Sequence, residues 1–159
     1  MAMQIMINIT LAFIWVLIVS DLSLGSLLWG YIIGIIPVYV IRRFLPGRFY
    51  LIRVYYVMKL IVVFARELIK ANYELTKIVV SPKIDIHPGF FAYPCELEEE
   101  WEIALISVLI SLTPGTLIVA ISDDYSTIYI HGINALDVDN EIATIKNSFE
   151  KLIQEVSKP

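Results

Sequence analysis

Residues 22–43 read LSLGSLLWGYIIGIIPVYVIRR, in which an uncharged run from Leu22 to Ile41 ends on two arginines. A helix needs about 20 apolar residues to cross the hydrocarbon core of a bilayer, so this stretch predicts a transmembrane helix. Residues 3–19 form another uncharged apolar segment, and only a short link around Ser20 and Asp21 separates the two. The short link predicts an antiparallel helical hairpin within residues 1–41. A soluble hairpin is the alternative, but neither segment has the polar face that water requires.

The basic residues that follow the hairpin predict its orientation. Arg42, Arg43, Arg48 and Arg53 come directly after the second segment, whereas residues 1–41 contain no Lys or Arg. The positive-inside rule places such a cluster in the cytoplasm. A cleaved secretory signal would need a basic N-terminal region, so we expect the first segment to be retained. These features predict a multi-pass protein of the cell (plasma) membrane with a cytoplasmic N-terminus and a cytoplasmic C-terminal domain.

Two glycines in the second segment suggest close helix packing. Gly30 and Gly34 have the small-xxx-small spacing that lets helix backbones approach each other in a membrane. Two interpretations are open at this stage. The glycines pack against the first helix of the same hairpin, or they pack against a helix of a partner protein.

Residues 42–80 form a basic exit from the membrane and one long amphipathic segment. Lys59, Arg66, Lys70 and Lys77 are spaced so that they share one stripe of a helix over residues 49–80. A basic stripe beside an apolar face is typical of a helix that lies in the headgroup layer. A third spanning helix, with the Lys59 amine extended towards the headgroups, is the alternative.

Residues 81–159 predict a small acidic cytoplasmic domain. Residues 84–159 carry a net charge of −10, whereas residues 42–83 carry +7. The predicted elements are a strand with Ile84, Ile86 and Phe90 on one face, a helix over 98–112, strands over 116–122 and 127–132, and a helix that begins at Asp137 or Asp139. This βαββα order is the ferredoxin-like pattern short of one strand. The predicted fold class is therefore an α+β membrane protein.

A turn motif interrupts an uncharged run that is otherwise long enough to span a membrane. Thr113, Pro114, Gly115 and Thr116 lie within the uncharged residues 103–121. Pro and Gly at the centre of a four-residue turn favour type II geometry, in which Gly adopts a positive φ. The run is therefore interpreted as a buried helix, a structural turn and a strand.

The residues that could carry chemistry form no convincing site. His87 and His131 are the only histidines and Cys95 is the only cysteine, so no metal-ligand or nucleophile–base pattern is present. We expect no catalytic, cofactor-binding or metal site. The net negative charge of the C-terminal domain argues against binding of nucleic acid, whose phosphates it would repel. Asp21, at the turn, is the one charged side chain in the hairpin, so an ion path through this chain alone is not expected.

The layout of the chain resembles the E subunit of the multisubunit Mrp (Mnh) sodium/proton antiporters. The resemblance covers nearly the whole chain: a short hairpin, an arginine-rich exit and an amphipathic helix that ends at Ser81-Pro82. It continues through the segment SLTPGT at 111–116, which is its most specific part, and through Tyr129-Ile130-His131 and Leu136-Asp137-Val138.

The resemblance implies a non-catalytic accessory subunit that supports assembly or coupling of a sodium(cation)/proton antiporter. Its partners would be the other Mrp-type subunits, which are large polytopic membrane proteins. Similar modules occur in archaeal membrane-bound hydrogenases and sulfane reductases, so subunits of those enzymes are further partners that the resemblance implies. The family offers no catalytic residue and no cofactor to carry over. The alternative is a free-standing regulatory or sensor domain tethered to the membrane.

Overall fold

The structure is a computed structural model that describes residues 1–84 and 86–158. Asp85 and Pro159, which the predicted domain 81–159 includes, lie outside the described residues. The chain divides into two compact units, Met1–Val54 and Tyr55–Lys158.

The first unit contains the two apolar helices that the sequence predicts. Helix α1 spans Ala2–Val19 and helix α2 spans Leu24–Ile41, and a 3-10 turn over Arg42–Phe44 follows α2. Helix α1 ends where Ser20 adopts a left-handed conformation, with φ of 55°. Helix α2 begins where the Ser23 hydroxyl accepts a hydrogen bond from the Ser26 N–H at 3.1 Å, the usual role of an N-cap serine. The prediction of two N-terminal apolar helices is confirmed.

Helix α3, Tyr50–Val80, is the longest element of the chain. Its 31 residues extend about 46 Å at 1.5 Å per residue, and no Gly or Pro interrupts them. Pro82 follows its end and disfavours helical geometry at Ser81. In the second unit Leu60 is buried in the core, and Val63 and Phe64 pack against it.

The second unit is a small mixed domain of helices and one sheet. Its elements after α3 are β1 Gly89–Pro94, α4 Glu100–Leu112, β2 Thr116–Ile121, β3 Thr127–Gly132, α5 Val138–Ile145, a π-helical turn Lys146–Glu150, and α6 Lys151–Ser157. The strands form one antiparallel sheet in the order β1-β3-β2. The coarse prediction of an N-terminal apolar pair followed by a mixed domain is therefore confirmed.

The core of the second unit lies on one face of this sheet. Phe91, Ile130 and Ile118 are opposite one another across the three strands, and so are Tyr93, Ile128 and Ile121. A bulge between Ile118 and Ala120 shifts the register of β2. The buried residues of the helices that complete the core are Ile103, Ile106, Leu109, Ile110, Ile145, Phe149, Leu152 and Ile153.

The prediction for the first strand is wrong in position and in face. Strand β1 begins at Gly89, whereas Ile84 and Ile86 precede it and are exposed. The residues of β1 that face the core are Phe91 and Tyr93, and Phe90 points away from it. Adjacent phenylalanines make the face of this strand ambiguous in sequence, because a shift of one residue moves every side chain to the other face.

Acidic side chains cap the starts of α4 and α5. The Asp137 carboxylate accepts a hydrogen bond from the Asn140 N–H at 3.2 Å and caps α5. At the start of α4, one oxygen of the buried Glu102 accepts hydrogen bonds from the N–H groups of Glu98 and Glu99, both at 3.1 Å. Glu102, one of the glutamates that crowd residues 98–102, thus has a structural role at a helix start.

Candidate functional site

The interface between α1 and α2 is a narrow stripe of polar and small residues. The buried positions repeat every four residues in both helices: Gln4, Asn8, Ala12 and Val16 in α1, and Ser26, Gly30, Gly34 and Val38 in α2. Ridges at four-residue spacing on two helices can interdigitate. Most other side chains of the pair are apolar and exposed, as expected for helices surrounded by lipid or by other membrane proteins.

Gly30 and Gly34 lie against helix α1 of the same chain. A Cβ atom at Gly30 would be 2.9 Å from the Ala12 carbonyl oxygen, and one at Gly34 would be 2.2 Å from Asn8 Oδ1. Both distances are shorter than van der Waals contact. At Gly30 the obstacle is backbone, so a larger residue would push the helices apart, whereas at Gly34 the buried Asn8 amide would have to move. By contrast, a Cβ atom placed at Gly25 would have the Ser23 hydroxyl as its nearest neighbour, at 3.8 Å, which is an ordinary contact.

A buried polar cluster joins α1 to the start of α3. The Gln4 side chain accepts a hydrogen bond from the Tyr50 N–H at 2.9 Å, and the Asn8 amide donates to the Tyr50 hydroxyl at 2.8 Å. Burial, together with a hydrogen bond to Tyr31, raises the pKa of Tyr50 to about 12. Asn8 Oδ1 has no hydrogen-bond partner among the described residues. The cluster was not expected from sequence, where Gln4 and Asn8 are only polar interruptions of an apolar run.

Three of the four predicted topology arginines lie between α2 and α3, and Arg53 lies near the start of α3. The Arg42 guanidinium stacks on the Tyr39 ring, 4.0 Å from its centroid, and Arg43 lies over Phe44 at 5.4 Å. The Arg48 carbonyl is near the Gln4 amide at 3.4 Å, and Arg53 donates to the Met1 sulfur at 3.3 Å. By length and composition, α1 and the stretch 24–44 are the two helices of the described chain that could cross a membrane.

The predicted turn motif has the geometry of a constrained connection between α4 and β2. Gly115 has a φ of 96°, and a Cβ atom there would be 3.1 Å from Ile133 Cγ2. The Thr116 hydroxyl donates to the Ile110 carbonyl at 2.7 Å, and the Thr113 hydroxyl donates to the Leu109 carbonyl at 2.9 Å. These bonds satisfy carbonyls at the end of α4 that have no partner within the helix.

The turn also borders a cavity of about 560 Å³ in the second unit. Charged residues of both signs line it, among them Lys70, Lys77, Glu74 and Glu141. Burial raises the pKa of Glu141, and the nearby Glu74 carboxylate adds to the shift while Lys70 opposes it. The mixed charges and the apolar floor favour no one class of ligand.

A buried carboxylate in the second unit was not expected from sequence. Glu150 accepts hydrogen bonds from the Tyr93 hydroxyl and, at 3.0 Å, from the Glu96 N–H. Burial and the contact with Glu150 raise the pKa of Tyr93 well above its usual range. The π-helical turn places Phe149 and Glu150, which are adjacent in sequence, both in the interior. Near this group Lys146 forms an ion pair with Glu96.

The histidines and the cysteine do not converge. The His131 ring in β3 packs against the Phe90 ring, tilted by 44° and 4.7 Å away between centroids. His87 precedes β1, and Cys95 is buried after it. In residues 1–84 and 86–158, no three His, Cys, Asp or Glu side chains lie close enough together to hold a metal ion. The notable arrangements are therefore packing surfaces and buried polar clusters.

Comparison with known proteins gives matches over nearly the full chain. A family of Na+/H+ ion antiporter subunits matches residues 8–156. The chain is 48% identical to the Na+/H+ antiporter E1 subunit of Staphylococcus haemolyticus and 45% identical to that of Staphylococcus epidermidis, with 99% of each chain covered in both cases. Among solved structures, it resembles a chain of the membrane-bound sulfane sulfur reductase, an archaeal respiratory membrane complex, with a TM-score of 0.56.

That structural neighbour is 24% identical and covers 96% of this chain and 98% of its own, so it indicates a shared fold. The antiporter relatives confirm the resemblance inferred from the sequence. Because the family match spans nearly every residue and the two staphylococcal relatives are coextensive with the chain, the chain belongs to the family of Na+/H+ antiporter E subunits.

Proposed function

We propose that this chain is a non-catalytic accessory subunit of a multisubunit Mrp-type sodium(cation)/proton antiporter, in which it supports assembly or coupling. The observation that carries the proposal is membership of the family of antiporter E subunits over residues 8–156. The relatives are named as antiporter subunits, and a subunit of that kind acts through partners. The partners proposed here are the other, polytopic subunits of the antiporter.

The hairpin supports a role in assembly rather than in ion conduction. In the α1–α2 interface Gly34 lies against Asn8 and Gly30 lies against Ala12 and Trp15, and helices α1 and α2 contain no acidic or basic side chain. A pathway for protons or sodium through a bilayer needs ionisable groups at membrane depth. The transported ions therefore cross through partner subunits, and this chain positions or couples those subunits.

The proposed topology has three parts. Residues 1–41 span the membrane twice, residues 42–80 carry the arginine cluster and an amphipathic helix in the headgroup layer, and residues 81–159 form a cytoplasmic domain. The position of the four arginines directly after α2 supports the orientation. The basic stripe of α3, with exposed Arg66, Lys70 and Lys77, supports the interfacial location.

The cytoplasmic domain is proposed to be ferredoxin-like, short of its fourth strand. Strand β3 lies between β1 and β2 and is antiparallel to both, so β1-α4-β2 is a βαβ unit split by β3. The split βαβ unit defines that fold. The last helical segment, α5 to α6, packs on the same face of the sheet as α4.

The larger assembly is proposed to be either a stand-alone antiporter or the antiporter module of a respiratory complex of the hydrogenase or sulfane reductase type. The fold shared with a chain of the sulfane sulfur reductase supports the second setting. Identification of the co-purified subunits separates the two.

Co-purification tests the proposed function directly. The tagged full chain is isolated in a mild detergent and its companions are identified by mass spectrometry. Several polytopic antiporter subunits in the eluate are the expected result, and redox subunits among them would identify a respiratory complex. Recovery of the chain alone, under conditions that keep a known antiporter complex intact, would contradict the proposal and favour a free-standing tethered domain.

A further inference from the structure

The face of the sheet that points away from the core is apolar, and no other described residue of the second unit covers it. Phe90, His131 and Leu117 form one row across this face, and Ala92, Tyr129 and Ala120 form the next. Phe90 is 72% exposed, Leu117 57% and Tyr129 47%. These six residues constitute the outer sheet face.

The outer sheet face does not have the composition of a surface that meets water. Strands β1, β2 and β3 contain no Asp, Glu, Lys or Arg, although residues 84–159 carry a net charge of −10. Sheets that face solvent place polar side chains on the outer positions and charges on their edge strands. Aromatic enrichment without charge is instead typical of the centre of a protein interface.

The charges around the outer sheet face indicate what covers it. The turn between β2 and β3 exposes Asp123 and Asp124 at one end of the face. Hydrogen bonds from Ser122 and Ser126 lower the pKa of Asp124 and keep it ionised. Two aspartates beside an apolar face are complementary to a surface that carries Lys or Arg at the corresponding end.

The same charges disfavour two other occupants. A second copy of this chain would bring together two segments 84–159, each of net charge −10, through a face that has no Lys or Arg. An anionic membrane surface attracts basic segments, and the face offers it only the two aspartates.

We propose that the outer sheet face is the docking surface for a different protein subunit, whose contact surface is apolar at its centre and basic at the end that meets Asp123 and Asp124. The inference rests on the proposed function, because it assumes that the chain assembles with other subunits. It goes beyond that function by assigning one contact to a defined face of the C-terminal domain.

A matched pair of substitutions tests the proposal in the full chain. Leu117→Glu introduces a charge on the outer sheet face, and Leu112→Glu introduces the same charge at the end of α4, where the leucine is 56% exposed. Both side chains are largely exposed, so the fold should tolerate both changes, and unchanged protection of the buried Cys95 thiol would verify this. The amount of co-purified partner should fall roughly tenfold or more for Leu117→Glu, because the complex would bury an unpaired charge. For Leu112→Glu it should stay at the wild-type amount.

The outcomes separate this proposal from the proposed function. If wild-type chain and Leu117→Glu bring down the same partners in equal amounts, the docking surface is wrong while the subunit role stands. If the wild-type chain brings down no partner, the subunit role itself is wrong.

Photo-crosslinking identifies the occupant. A photoactivatable maleimide is attached to Phe90→Cys, and the buried Cys95 gives a low background. A crosslink to a different subunit, at a segment with Lys or Arg, is expected. A crosslink only to a second copy of the chain or only to lipid would overturn the proposal.

Discussion

Replacement of Glu150 by alanine should open the C-terminal domain locally. The carboxylate accepts hydrogen bonds from the buried Tyr93 hydroxyl and from the Glu96 N–H. A hydrogen bond to a charged group contributes about 1.5–3 kcal/mol, and a buried group left without its partner costs about 1–3 kcal/mol. Glu150→Ala should therefore lower the free energy of opening by about 3 kcal/mol, which is roughly a 100-fold larger population of open molecules.

The native cysteine reports this opening without any engineered probe. Cys95 is the only cysteine, is 8% exposed and lies between Tyr93 and Glu96 in the chain. Burial raises the pKa of its thiol, so the closed state should react slowly with a thiol reagent. The rate of Cys95 labelling in the full membrane-bound chain, measured at fixed pH, should rise roughly 100-fold in Glu150→Ala.

Two variants make the measurement decisive. Glu155→Ala removes a glutamate that pairs with Lys158. A surface pair of that kind contributes about 0–1 kcal/mol, so the rate of Cys95 labelling in this variant should rise by less than about fivefold. Tyr93→Phe retains the ring but removes one donor to Glu150, and its rate should fall between the two. A labelling rate for Glu150→Ala within a factor of two of wild type would refute the assigned role of this carboxylate.

Substitutions at two glycines and one half-buried glutamate test the packing elsewhere in the chain. Gly34→Ala should destabilise the hairpin by about 1–3 kcal/mol, because the new Cβ would clash with Asn8 Oδ1. Gly25→Ala, which has room for a Cβ, should leave the stability of the hairpin unchanged. Equal melting temperatures of the two variants in detergent would contradict the assigned packing. Gly115→Ala should destabilise the domain by about 1–3 kcal/mol through its positive φ, which an unchanged urea midpoint would exclude. Burial favours the neutral form of the Glu141 carboxyl and raises its pKa. Glu141→Gln should therefore raise the melting temperature at pH 7 and leave it unchanged below pH 4.5. A higher melting temperature that persists at low pH would argue against burial of the charge as the cause.

Much of the architecture could be predicted because it depends on strong local signals. Helices α1 and α2 follow from two uncharged runs of membrane length, and β2 begins directly after the Pro114-Gly115 turn. The four-residue stripe across the hairpin was harder to predict, since only its two glycines stand out in an apolar background. Gln4 and Asn8 are buried as hydrogen-bond partners of Tyr50, which is 46 and 42 residues away from them in the chain, so no local pattern connects them to it.

The errors and omissions arise where distant contacts decide the outcome. The face of β1 depends on its register with β3, and the adjacent Phe90 and Phe91 fit either face by composition. The burial of Glu150 depends on a π-helical turn, whose extra residue breaks the spacing that a regular helix would keep. A glutamate in that position otherwise resembles any charged residue of an amphipathic helix.

Antiport in membranes that lack this chain tests the proposed accessory role most directly. Sodium/proton exchange is measured in inverted vesicles from a strain without the gene, and from the same strain with the wild-type chain restored. We expect exchange and recovery of the assembled subunits both to be lost in the deletion strain and to return together with the wild-type chain. Full exchange by an intact assembly in the deletion strain would contradict that role.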